Sequence, residues 1–183
     1  MPYRTVIRRL AGLATALIAV IAVSGAAAAA QPAATPPAAN TGSHRIVVQI
    51  DGAVQHRLRL TNQRLAGLPQ HTVTVTFQSG SGPQTHTYTG PLLLDVLNLA
   101  GPRFNPEIKN DKLRYAVTAT GSDDYQALVA WAEFDPDFAG TTMLVALTED
   151  GTPPADGRPR LVVPGDLKGG RYVSSLVRLH LSR

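Results

Sequence analysis

The spacing of apolar and polar residues changes period several times along this chain, and each change marks an element. From His71 to Phe77 the order His-Thr-Val-Thr-Val-Thr-Phe alternates strictly, the two-residue period of a strand buried on one face. Arg45–Ile50 and Val54–Leu60 are two further strand-like runs, and the Asp51-Gly52 pair between them predicts a tight hairpin turn. Thr61 stands where an N-cap belongs, ahead of a short helix through Leu65 that Gly67 and Pro69 close. Between Pro91 and Ala100 the period becomes helical. Leu93, Val96, Leu97 and Ala100 share one stripe, Pro91 opens the segment, Asp95 sits in the first turn and Gly101 follows the end.

Thr85–Tyr88, Leu113–Ala119, Thr142–Leu147, Leu161–Val163 and Tyr172–Leu181 read as strands, the last two closing the sheet, and Tyr125–Ala130 is a short apolar run. Ser79-Gly80-Ser81-Gly82-Pro83 reads as a loop and Gly121-Ser122-Asp123-Asp124 as a turn. Trp131–Phe138 predicts a short helix or turns, with Glu133, Asp135 and Asp137 in solvent. Short strands outnumber helices in an irregular order, so the predicted fold class is α+β, a single domain of mixed sheets with a few short helices.

That domain is predicted to begin at residue 44 and run to residue 183. Residues 1–30 have the form of a secretory signal: Arg4, Arg8 and Arg9, then the apolar Leu10–Val23, then small residues from Ser24 to Ala30. Residues 31–43, rich in proline and alanine, hold too little large apolar surface to fold and read as a linker. The expectation is an exported chain, periplasmic or secreted, with no membrane span after signal cleavage. Arg8-Arg9 is a twin arginine in a context that otherwise matches the twin-arginine pattern poorly.

Composition narrows the function classes. The formal charge of +4 is largely the signal's own; without its three arginines, fourteen basic residues face 13 acidic ones. A near-neutral domain without a basic run gives no footprint for nucleic acid. There is no cysteine, which excludes disulfides, thiolate metal sites and cysteine nucleophiles. The five histidines, His44, His56, His71, His86 and His180, show no metal-ligand spacing.

The candidate chemistry lies in Arg160–Val173. An apolar run stops at Pro164-Gly165, and a loop with Lys168, Gly169, Gly170 and Arg171 follows. Backbone without Cβ beside two cations is a candidate site for a small anion such as a phosphate.

Four segments in order, spanning residues 58–181, resemble the oxidoreductase molybdopterin-binding domain of the sulfite oxidase family. They are Leu65–Gly80, with its leucine-proline segment and strand; Tyr88–Leu97, with the family's helix pattern; Gly121–Tyr125, with Asp124 where glycine is usual; and Leu161–Val173. The resemblance implies a molybdopterin cofactor held by the last segment and a metal-ligating cysteine after the leucine-proline strand. That cysteine position is Ser79 here, the asparagine-arginine run after it is absent, and the family's lysine falls on Ser174. A hydroxyl is far less acidic than a thiol and harder as a ligand, so no molybdenum is expected. The cofactor-binding candidates are Ser79, Gly165, Lys168, Gly169, Gly170, Arg171 and Ser174. The expected role is a non-catalytic module for a small anionic or planar ligand or an envelope protein partner. The alternative is a molybdopterin-dependent oxidoreductase that uses Ser79 in place of cysteine.

Overall fold

The computed structural model of the protein describes residues 47–183. The signal segment 1–30, the linker 31–43 and the predicted domain start at residue 44 lie outside the described residues. In chain order the elements are β1 (Val47–Gly52), β2 (Leu58–Thr61), α1 (Asn62–Ala66), β3 (His71–Ser79), β4 (Gly82–Gly90), α2 (Leu93–Asn98), β5 (Ala116–Gly121), β6 (Gln126–Ala130), α3 (Trp131–Phe134), β7 (Leu144–Ala146), β8 (Thr148–Glu149), β9 (Arg160–Val162) and β10 (Leu176–Ser182). Tight 3-10 turns occupy Asp111–Arg114 and Gly169–Arg171. This is the α+β arrangement of mixed sheets and short helices that the sequence predicts.

Three sheets surround one core. The largest runs β2-β1-β10-β5-β6, the second β3-β4-β8, and β7 pairs with β9 alone. Within the first sheet β1 lies parallel to β10, and the other pairs are antiparallel. Val48, Ile50, Val117, Ala119, Leu179 and Leu181 point from this sheet into the core. The same buried cluster holds Leu93, Val96 and Leu97 of α2, and Val145, Leu161 and Val162 of the small sheet, all without exposed surface.

Thr61 caps α1 as predicted, its Oγ1 accepting from Arg64 N at 3.2 Å. α2 begins at Leu93, two residues after Pro91, whose carbonyl is held by Val145 N at 2.9 Å. β1 and β2 pair antiparallel as expected, with Ile50 opposite Leu58, but Asp51-Gly52 is not the turn between them. Both residues continue β1 and pair with His180 and Leu181 of β10, and β2 starts only at Leu58. A Cβ on Gly52 would lie 2.0 Å from the Leu181 carbonyl oxygen, and its φ is +94°. The glycine therefore serves a close strand crossing.

Two further readings are corrected. β9 belongs to a sheet with β7, while β10 is the middle strand of the large sheet, so the last two strands do not close one sheet together. The acids of 131–138 are not all in solvent. Asp135 is buried, accepting from Trp131 Nε1 at 2.6 Å and pairing with Lys112 at 2.9 Å. Burial pushes its carboxyl up, but the bonds from Asp137 N, Lys112 and Trp131 outweigh that and hold it below the usual range.

Candidate ligand-binding site

β3 and β4 form a long hairpin closed by Gly80-Ser81 alone, with Ser79 opposite Gly82. The predicted five-residue loop is thus a two-residue turn, and β4 is nine residues long where only Thr85–Tyr88 was expected. On the outer face three threonine pairs link their hydroxyls at 2.9 Å: Thr72–Thr89, Thr74–Thr87 and Thr76–Thr85. The inner face carries Val73, Val75, Phe77, His86 and Tyr88.

The tip of this hairpin meets the glycine loop. Gln78 N donates to the Leu167 carbonyl at 2.9 Å, and Gln78 bridges to Lys168 in parallel. Between them opens a cleft of about 500 Å³ lined by Phe77, Gln78, Ser79, Gly80, Lys168, Gly169 and Gly170. Four of the seven candidates, Ser79, Lys168, Gly169 and Gly170, therefore share one site although some ninety residues separate them in sequence. Lys168 is exposed and has no ion-pair partner among the described residues. A Cβ at Gly170 would meet nothing within 4 Å, which leaves that face open. At Gly169 a Cβ would lie 2.7 Å from the Phe77 ring, so this glycine is required by the packing of Phe77. Tyr125 donates its hydroxyl to the Gly170 carbonyl and pins the turn from the far side.

The other three candidates lie elsewhere. Gly165, at φ +94°, makes the turn after β9 and does not line the cleft. Arg171 turns away into an internal clamp. Its Nε and Nη2 bind the two oxygens of Asp166 at 2.8 and 2.7 Å, and Nη1 binds Glu133 at 2.7 Å. The Asp166 bonds, and after burial's opposing effect those of Glu133, raise the guanidinium's proton affinity further. Its charge is balanced inside the protein, because a bidentate carboxylate fills the fork that an external anion would use. Ser174 accepts from Arg160 Nη2 at 2.8 Å and belongs to a second cluster.

That cluster escaped the sequence reading. Arg160 reaches the Tyr88 hydroxyl at 3.0 Å and Glu149 at 3.0 Å; Tyr88 donates to Glu149 at 2.9 Å; and His86 Nδ1 faces Asp150 at 2.8 Å. Burial first, then the bond to Glu149 against the attraction of Arg160, pushes the Tyr88 phenol up to about 12. The signal available was the alternation of His86 and Tyr88 with threonine on β4, which sets both rings on the inner face. Tyr172 packs edge-on against Phe77 with ring centres 4.8 Å apart, and its buried hydroxyl has no partner among the described residues.

The residues at the Ser79 position do not fit the sulfur-held molybdenum that the resemblance implies. The Ser79 hydroxyl donates to the Gly82 carbonyl at 3.0 Å and accepts from Ser81 N at 3.1 Å, so its proton and one of its two lone pairs are engaged by its own turn. Among the described residues, no cluster of three or more histidines and carboxylates could hold a metal ion.

No curated protein sequence matches the chain. Among solved structures it is similar to the sulfane dehydrogenase SoxCD from Paracoccus pantotrophus, with a TM-score of 0.60 and 21% identity. The match covers 74% of this chain and 38% of that one, and at this identity it speaks for the fold. A family model described as the oxidoreductase molybdopterin binding domain matches residues 33–183. Together with the four segments and the sheet arrangement, that match places the chain in the oxidoreductase molybdopterin binding domain family.

Proposed function

We propose that this chain is an exported, non-catalytic binding module of its family. Its ligand is a small molecule with a flat apolar body and one anionic group, seated between the β3–β4 turn and the Gly169–Arg171 turn. The observation that carries this reading is the cleft itself. Phe77 offers an apolar wall and Lys168 a cation with no ion-pair partner among the described residues, while the hydroxyl that would replace a metal thiolate is hydrogen-bonded within its own turn. Cofactor-dependent turnover would need a metal ligand at that place. Neither the sequence, which has no cysteine, nor the hydrogen bonding of Ser79 supplies one.

Protein purified from its native host is assayed for molybdenum by mass spectrometry and for pterin by fluorescence. Metal well below stoichiometry is expected; one molybdenum per chain overturns the non-catalytic reading. Flavin mononucleotide, planar and phosphate-bearing, serves as a binding probe in titration calorimetry. Binding is expected to weaken several-fold in Lys168→Ala and with added salt, as for a single exposed ion pair. Equal binding by both proteins removes Lys168 from the site.

A further inference from the structure

The outer edge of β3 is a strand edge to which nothing among the described residues is paired over most of its length. Three observations fix which backbone groups face outward. Gln78 N bonds to Leu167, away from β4. Thr87 bonds by N to Asp150 Oδ1 and by its carbonyl to Asp150 N, and the Thr89 carbonyl accepts from Leu147 N, all away from β3. The pairs 72–89, 74–87, 76–85 and 78–83 are therefore the ones without mutual backbone bonds, which also brings their threonine side chains within 2.9 Å. It follows that the N–H and C=O groups of Thr72, Thr74 and Thr76 point out from the sheet edge, and no backbone group among the described residues bonds to them.

Strand edges of this kind are usually blunted by charge, proline or a bulge. Here His71–Ser79 contains no lysine, arginine, aspartate, glutamate or proline, and its register with β4 is unbroken. Among the described residues the edge is closed at one point, where Leu167-Lys168 bridges to Gln78. Leu167 is itself 85% exposed, the most exposed large apolar side chain among the described residues.

We propose that this edge pairs with the β3 edge of a second copy, antiparallel about a two-fold axis at Thr74. The lengths match. The free edge is bounded by His71, where the strand begins, and by Phe77, beyond which Leu167-Lys168 takes the next slot. An antiparallel partner centred on Thr74 sets 71 opposite 77 and overruns neither end. Thr72 faces the partner's Thr76 and Thr74 faces the partner's Thr74, so each outward N–H meets an outward C=O. Two uncharged strands meet without repulsion, and the threonine face continues across the axis. The slot held by Leu167 borders the partner's Leu68-Pro69 turn, which gives that leucine an apolar surface to cover. This pairing is independent of the cleft reading.

Sedimentation velocity on the purified chain, across a concentration series, is expected to give the mass of two chains. Thr74→Lys sets two like charges across the axis on an exposed position, and Leu167→Glu places a charge on the contact of the exposed leucine. Each is expected to shift the dissociation constant upward by tenfold or more, with an unchanged circular dichroism spectrum. The register is read by cysteine, which the native chain lacks. Thr74→Cys is expected to cross-link to its own copy under mild oxidation, and Thr85→Cys, one strand inward, is not. A monomeric wild type at all concentrations overturns the proposal. So does a dimer that survives both charge variants, or one that cross-links through residue 85 and not through residue 74.

Discussion

Asp51 allows a quantitative test of how the central sheet is held. Only 4% of its surface is exposed. Arg178 Nε reaches both carboxylate oxygens at 3.2 and 3.0 Å, and Arg178 Nη2 reaches Oδ1 at 2.9 Å. Gln49 donates to Oδ2 at 2.6 Å, and His180 Nδ1 lies 2.6 Å from Oδ1. Burial alone would push the carboxyl up, but the bonds from Arg178, His180 and Gln49 prevail and hold it at about 2, against an ordinary 3.8. At about 1.4 kcal/mol per pKa unit, the difference corresponds to about 2–3 kcal/mol of stability. Arg178 and His180 are 46% and 38% exposed, so solvent screening trims this to roughly 1–2 kcal/mol.

The sign follows from the depressed carboxyl. The contribution is complete above the unfolded value near 4 and is lost as pH falls toward 2. Asp51→Asn should therefore lower the urea midpoint at pH 7 by roughly 0.5–1 M, for a denaturant slope of about 2 kcal/mol per M. At pH 3 the gap between the two proteins should shrink to about half. Equal midpoints at pH 7 would refute the reasoning, as would a gap that stays the same at pH 3.

Gly169→Ala drives a methyl into the Phe77 ring, and overpacking of this kind costs about 1–3 kcal/mol. Its thermal midpoint should fall, and Phe77→Leu in the same chain should recover part of the loss. Arg171→Lys keeps the charge but cannot span both Asp166 oxygens and Glu133. A loss of about 1 kcal/mol is expected in chemical denaturation, since all three side chains are partly solvated.

Local rules read the β3 strand and the short helices well, because their determinants lie within a few residues. The threonine-valine alternation of β3, the Thr61 cap and the stripe of α2 are of this kind. Asp124, which stands where the resembled family has glycine, takes φ +64°, the left-handed conformation that such a turn demands and that aspartate tolerates. The Asp51-Gly52 reading failed because the same dipeptide suits a turn or a crossing strand, and the deciding partner, β10, lies over a hundred residues away. Lys168 and Arg171 looked alike as loop cations. The loop fold that turns Asp166 onto the Arg171 fork, together with Glu133 from 38 residues upstream, separates the clamped arginine from Lys168, which has no ion-pair partner among the described residues. For the Tyr88–Glu149–Arg160 cluster the alternation of β4 shows only which face Tyr88 takes; its partners come from two other strands that carry no local motif.

Gly80 and Ser81 are the whole connection between two nine-residue strands. A link that short has no slack: the pairing of residues 79 and 82 dictates where every atom of the bend goes. Ser79→Cys would therefore set a thiol at one fixed place on the wall of the cleft. Any group grafted onto this corner takes its position from the strand register and not from a loop of its own.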